Sequence, residues 1–202
     1  MNTATELYIS SPLALPGTAT EHGIFLGRIR VAESLYAIFQ PPKAIAAQPA
    51  ARWMPDDKRL DDAMSFSDGY TNTVAMAKAG NTAAQYALDN GMHIPAIDEM
   101  DLQYRLLKPT NQRNYCYMRP GININAEPPL HPYTPEFPAQ TTLHDFKAGG
   151  PEAFEPVWHW SSTQSRAWDD DAWAQGFGDG GQGYYPKGHE LPVRLVRRLI
   201  IR

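Results

Sequence analysis

The chain has a single cysteine, Cys116, in 202 residues. A disulfide framework within the chain is thereby excluded, and folding in a reducing cytoplasm fits. No Asn-x-Ser/Thr sequon occurs, so nothing points to glycosylation. No stretch approaches the roughly 18 consecutive apolar residues of a membrane span, so the sequence does not read as a membrane protein. Residues 1–20 lack a basic start and a long apolar centre, and no signal peptide is evident. Positive charge is also scarce: the formal net charge is −4 and there is no long basic run. That balance argues against nucleic-acid binding. The basic tail Arg194, Arg197, Arg198 and Arg202 alternates with apolar residues, as a strand with one charged face would.

Catalytic signatures are missing as well. There is no Gly-x-Ser-x-Gly elbow, no His-Glu-x-x-His, no Walker loop, and no glycine fingerprint that opens a helix after a strand. The histidines at 22, 93, 131, 144, 159 and 189 show no metal-ligand spacing and read as surface or hydrogen-bonded residues. Cys116 has no second thiol or adjacent base and reads as a packed thiol.

What is present is a hydrophobic fraction of 43%, enough for a core, together with 18 prolines, 15 glycines, 5 tryptophans and 10 tyrosines. Such a mixture predicts much ordered irregular structure and few long helices. Residues 1–20 read as an N-terminal arm and residues 21–202 as one domain. Near-alternation over 23–31 and 34–39 predicts a β-hairpin that stops at Pro41-Pro42. The proline-containing stretch 40–60 reads as a loop. Short helices are predicted over 71–78, over 82–89 with Asn81 as its cap, and over 97–107, where Met100, Tyr104 and Leu107 share a face. Pro128, Pro129, Pro132, Pro135 and Pro138 crowd residues 120–140, where Tyr133 and Phe137 suggest a loop pinned to the core. A short helix over 143–148, capped by Thr141 or Thr142, and strands over 157–161, 173–177 and 193–201 complete the reading.

Two groups of residues could carry a site. Asp169-Asp170-Asp171 followed by Asp179 is the best grouping for a hard cation, since calcium takes 6–8 oxygen ligands. The spacing fits no EF-hand, so an exposed acidic turn is favoured, and Asp169, Asp171 and Asp179 are only weak calcium candidates; no other cofactor is expected. The aromatic density of the last fifty residues says more. Trp158 and Trp160 share a strand face and are expected in the core with Phe177, Val193, Leu195 and Val196. Arg166, Trp168, Asp170, Gln175, Gln182, Tyr184 and Tyr185 remain as the polar and aromatic groups expected to reach solvent together, on a surface suited to a sugar or a protein. Burial of most of these rings is the competing reading.

Three motifs then occur in order. His93-Ile94-Pro95-Ala96-Ile97-Asp98-Glu99-Met100 resembles an "(L/I)-P-x-x-(D/E)-E" strand-to-helix element. Trp158-His159-Trp160-Ser161-Ser162-Thr163-Gln164 resembles a "YWSST(E/Q)" strand. Residues 172–180, from Ala172-Trp173 to Asp179-Gly180, followed by Val193-Arg194-Leu195-Val196-Arg197-Arg198, resemble "AWxxxFxDG…VRxVRR". Together they resemble the C-type-lectin fold in its formylglycine-generating-enzyme-like branch, and within it a domain family of phage and prophage tail genes and bacterial surface adhesins. Phage tropism-determinant tips are similar. The resemblance spans about residues 20–202. Two departures matter. The catalytic branch uses a pair of cysteines where this chain has only Cys116, so no enzyme activity is carried over. Ala96 stands where a capping Thr is usual, which predicts a cap weaker by about 1 kcal/mol.

The resemblance implies an α+β fold: a small, twisted, mostly antiparallel sheet with few short helices and long ordered loops, in which the 23–39 hairpin and the last strand share one sheet. It further implies a non-catalytic module of a phage virion, on a tail fibre, baseplate tip or capsid. The module would be made in the host cytoplasm and bind a host-surface glycan or protein receptor. A structural decoration or assembly protein that binds only other virion proteins is the alternative. A homotrimer is expected from the threefold symmetry of fibres.

Overall fold

The computed structural model describes residues 8–9, 15–117, 119 and 121–202. The alternating segments form the expected hairpin, β3 (Gly23–Val31) against β4 (Ser34–Gln40). Its two-residue turn places Ala32 at φ 49°, where a tight hairpin usually has glycine. Leu26 is bulged between the pairs Phe25–Phe39 and Gly27–Ile38. β10 (Arg197–Ile201) pairs antiparallel with the other edge of β4, so the hairpin and the end of the chain do share a sheet. β1 (Tyr8–Ile9), parallel to β10, and β2 (Ala19–Thr20), antiparallel to β3, complete the order β1-β10-β4-β3-β2. Both belong to the segment read as an arm, of which residues 1–7 and 10–14 lie outside the described residues.

The expected single strand over 193–201 is in fact two. β9 (Glu190–Arg194) pairs with β5 (Ala47–Arg52) in a separate two-stranded sheet, whereas β10 joins the five-stranded one. Leu195 and Val196 make the switch. Both are fully buried, yet neighbours on an extended chain point to opposite sides. Leu195 enters a core with Trp53, Met76 and Trp160; Val196 enters a second core with Ile38, Tyr104 and Phe177. The arginines do not form one charged face: Arg194 is buried and reaches Glu152 at 2.9 Å, Arg198 reaches Asp68 at 2.7 Å, and Arg197 reaches the carbonyls of Asn90 and Gly91. β5 itself corrects the loop reading of 40–60; Pro49 concealed it, and two-stranded pairing tolerates proline at an edge.

Trp53, also in that misread stretch, is the indole that joins the layers. Its Nε1–H donates to Ser161 O at 2.7 Å, while Trp160 Nε1–H donates back to Ala51 O at 3.0 Å. These bonds tie β5 and its following loop to β6 (Trp158–Gln164), first strand of a sheet ordered β6-β7-β8 with β7 (Asp171–Gly176) and β8 (Gln182–Pro186). Trp160 is 1% exposed, but Trp158, expected beside it in the core, is only half-buried at the rim.

A four-residue helix, α1 (Lys43–Ala46), precedes three longer ones. In α2 (Gly69–Lys78) Asp68 caps the Thr71 N–H; in α3 (Thr82–Asp89) Asn81 caps Ala84 at 2.7 Å and Asn90-Gly91 ends the helix. α4 (Ile97–Leu107) is buried over most of its surface. Its N-terminus shows how the missing hydroxyl at Ala96 is replaced. Thr163 of β6 accepts the Ile97 N–H at 3.2 Å, and Glu99 accepts the Ala96 N–H at 2.8 Å. The "SST" segment thus serves a helix as well as its own strand.

The expected helix over 143–148 is a single 3₁₀ turn, His144–Phe146, without a side-chain cap; Thr141 Oγ1 instead accepts from Leu143 N–H at 3.2 Å. In the proline-rich stretch Tyr133 is 4% exposed and does anchor the loop, but Phe137 is 58% exposed and does not. Arg105 holds that loop by donating to Gly121 O and His131 O, and Asn114 donates to Thr134 O and Pro138 O. The fold is α+β, with sheets that are antiparallel apart from the β1–β10 pair.

Candidate functional site

β7 and β8 are joined by the turn at residues 177–181. Gly180 takes φ 77°, and a Cβ there would lie 2.3 Å from the Tyr104 ring, so both backbone and packing require glycine. Asp179 Oδ1 accepts the Gly181 N–H at 3.1 Å, which fixes the turn. The Asp179 carbonyl accepts the Tyr115 N–H at 2.9 Å, which brings a distant loop alongside. The result is a cleft of about 270 Å³ lined by Tyr115, Trp158, Asp179, Gln182, Tyr184 and Tyr185, with Gly181 and Gly183 between them. Trp158 and Tyr185 meet at 4.8 Å between ring centroids, tilted by 53°. Tyr115 and Tyr184 are 44% and 37% exposed. A Cβ at Gly183 would meet no atom within 4 Å, so that stretch of backbone lies open. Asp179 is the one carboxylate of the lining. Burial, and then the Asp179 charge, push the Tyr185 hydroxyl above its ordinary pKa, so it stays a neutral donor.

Beneath the cleft lies a buried polar network. Gln175 and Gln182 are directly opposed across β7 and β8. Arg119 donates to Gln182 Oε1 at 2.9 Å and forms an ion pair with Asp98. Gln175 Nε2 donates to the Tyr133 hydroxyl at 3.1 Å, which in turn donates to Asp101. Burial raises the Asp98 carboxyl despite the Arg119 guanidinium and the Asn125 amide. The expectation that Gln175 and Gln182 reach solvent is therefore corrected: they are 0% and 1% exposed because their side chains lie on the inward side of the sheet with this network. Among the described residues Gln175 Oε1 and Gln182 Nε2 have no hydrogen-bond partner.

The other expected residues divide. Tyr184 and Tyr185 belong to the cleft. Tyr184 continues outward into an aromatic run, to Trp173 at 5.6 Å and from Trp173 to Phe66 at 5.5 Å. Arg166 covers Phe66 at 5.6 Å, with Arg119 over the same ring at 5.3 Å. Trp168, 54% exposed, and Asp170, also exposed, sit on the 165–170 turn outside the cleft lining. The acidic residues do not converge. Asp169 pairs with Arg59 at 2.6 Å, Asp179 lies in the cleft, and Asp171 is half-exposed with its carboxyl raised by burial and by Asp170. Among the described residues no group of three or more His, Cys, Asp and Glu is arranged to hold a metal ion.

Sequence reasoning missed Tyr115 and Trp158 as lining residues and named Asp179 only as a weak calcium candidate in an acidic turn. The exposed Tyr115-x-Tyr117 pair, ring centroids 5.2 Å apart, was the available signal for the first. Gly176, Gly178 and Gly181 have dinucleotide-fingerprint spacing, but they join two antiparallel strands, so no helix N-terminus awaits a phosphate. His93 and Glu99 form a 3.0 Å pair, each at most 1% exposed and so sealed from any substrate. Cys116 Sγ contacts Asn114 O at 3.5 Å. No protein-family model matches the chain, and no curated protein matches it.

Proposed function

We propose that this chain is a non-catalytic recognition module of C-type-lectin-like architecture, carried on a phage virion, whose cleft binds a host-surface glycan. The observation that carries the reading is a cleft along β8 lined by four aromatic side chains and one carboxylate, with Trp158 and Tyr185 on one face of the sheet and Tyr184 on the other. A pyranose offers apolar C–H faces for rings such as the Trp158–Tyr185 pair, and its hydroxyls can donate to Asp179. A single carboxylate in the lining suits binding, because glycoside hydrolysis generally needs two carboxyl groups flanking the bond. The order of the three sequence motifs supports the lectin-like architecture and a position at a tail fibre, baseplate tip or capsid. Assembly as a homotrimer against other virion proteins belongs to the same proposal. Among the described residues no helix is long and apolar enough to cross a membrane.

The test is binding of the purified protein to arrayed bacterial surface polysaccharides, paired with immunogold labelling of virions. Tyr184→Ala and Asp179→Asn are each expected to weaken binding by about tenfold or more at unchanged melting temperature. Arg166→Ala and Trp168→Ala measure how far the binding face extends beyond the cleft. Virion labelling without glycan or host-cell binding would favour the structural decoration reading; turnover of a bound polysaccharide would overturn the non-catalytic one.

A further inference from the structure

Lys187 is 0% exposed, an unusual position for an ammonium. Its Nζ donates to Lys58 O at 2.6 Å, Asp169 O at 2.6 Å and Gln164 Oε1 at 2.9 Å, and lies 5.0 Å from the Trp53 ring centroid. Three donors meet three oxygens, so its hydrogen-bonding capacity is filled. The oxygens come from separate parts of the chain: the loop after β5, the turn before β7, and β6. Gln164 Oε1 also accepts the Leu60 N–H at 2.6 Å. The Lys187 backbone joins the same parts, donating to Asp170 O at 2.8 Å and accepting from Trp53 N–H at 3.0 Å.

Around these neutral oxygens lies a shell of carboxylates. Asp56, Asp57, Asp169 and Asp170 all act electrostatically on Lys187. Three of them are committed to surface cations, Asp56 to Lys58, Asp57 to Arg52 and Asp169 to Arg59. Burial lowers the Lys187 pKa and this acidic shell opposes the shift. Carbonyl and amide oxygens inside and carboxylates outside are the surroundings of a bound cation, and here the cation is covalently part of the chain.

We propose that Lys187 is a built-in cation that stands where a divalent metal would otherwise be needed, holding the acidic loops at 56–61 and 165–171 together. This goes beyond the recognition reading and does not depend on it, since it concerns how the loops are held and not what the cleft binds. Lys108 is likewise enclosed by neutral oxygens, with Asp179 alone acting on it electrostatically. At 2% exposure it donates to Gln112 O, Asn114 Oδ1 and Pro138 O, and so ties the proline-rich loop to the end of α4.

The test is thermal unfolding of the parent protein, Lys187→Met and Lys187→Ala, each in EDTA and in millimolar calcium. The parent should melt at the same temperature in both. Lys187→Met keeps the apolar stem but leaves the Lys58 and Asp169 carbonyls without this donor, and should melt about 10 °C lower with no response to calcium. Lys187→Ala vacates the site, exposing the same oxygens beside four carboxylates, and calcium should restore several degrees of its melting temperature. Should Lys187→Ala be recovered only unfolded, refolding it from urea in calcium against EDTA gives the same comparison. A parent destabilised by EDTA, a Lys187→Met variant as stable as the parent, or a Lys187→Ala variant indifferent to calcium would each overturn the proposal.

Discussion

Acid should unfold this protein partly through one histidine. His159 is 4% exposed on β6, its ring set edge-on against the stacked pair Phe154 and Phe177, with Nδ1–H donating to Val157 O at 3.0 Å. Burial depresses its pKa from 6.5 to about 4; the Val157 carbonyl opposes the shift, and the Arg194 and Lys43 charges add to it. The folded state therefore holds the ring neutral while the unfolded chain takes up a proton below 6.5. Stability from this group is fully present above that value and is lost as pH falls toward 4. Two and a half pKa units at 1.36 kcal/mol each amount to about 3 kcal/mol, or roughly 10 °C for a domain of this size. The comparison is thermal or urea unfolding from pH 7 to pH 4, for the parent and His159→Asn. Asn keeps a donor near Nδ1 but does not titrate, and the carboxylates common to both proteins cancel. The parent should lose about 3 kcal/mol more than the variant over that interval. Parallel pH profiles would refute the assignment of a neutral, desolvated His159.

Ala32→Gly should stabilise the hairpin by about 0.5–1 kcal/mol, because the turn already holds Ala32 at φ 49°; urea midpoints measure it. Gly180→Ala should cost at least about 2 kcal/mol by the same assay, since its Cβ would meet the Tyr104 ring as well as an unfavourable φ. Trp160→Ala should lose about 3–5 kcal/mol of stability as a core truncation, whereas Trp168→Ala should leave the melting temperature nearly unchanged. Thr163→Val should cost about 1–2 kcal/mol and increase amide exchange at the start of α4, where its hydroxyl replaces the absent cap at Ala96.

Segments whose pattern is local were legible in the sequence. The β3–β4 hairpin shows near-alternation, and α3 carries its cap at Asn81 and its stop at Asn90-Gly91. What escaped depended on partners far along the chain. β5 contains a proline and mostly small residues, and becomes a strand only because β9 supplies its pairing. The sheet switch at Leu195–Val196 looks like ordinary strand continuation until two separate cores are in view. For the candidate site, the rings of segment 165–185 drew attention to it, and of these Tyr184 and Tyr185 line a cleft. Gln175 and Gln182 were misjudged because polarity alone gives no warning of a buried network supplied by Arg119, Asp98 and Tyr133. Tyr115 could be placed only once its N–H was seen on the Asp179 carbonyl.

The sheet switch also bears on how the molecule comes apart. Leu195 and Val196 are consecutive, yet each is a fully buried member of a different core, and Val196 is hydrogen-bonded in both directions with His93. Peeling the C-terminal strand back past residue 197 therefore cannot open one core and spare the other. A lever of two residues couples them into one cooperative unit, so amides lining either core should exchange through a shared global opening and not through two separate ones.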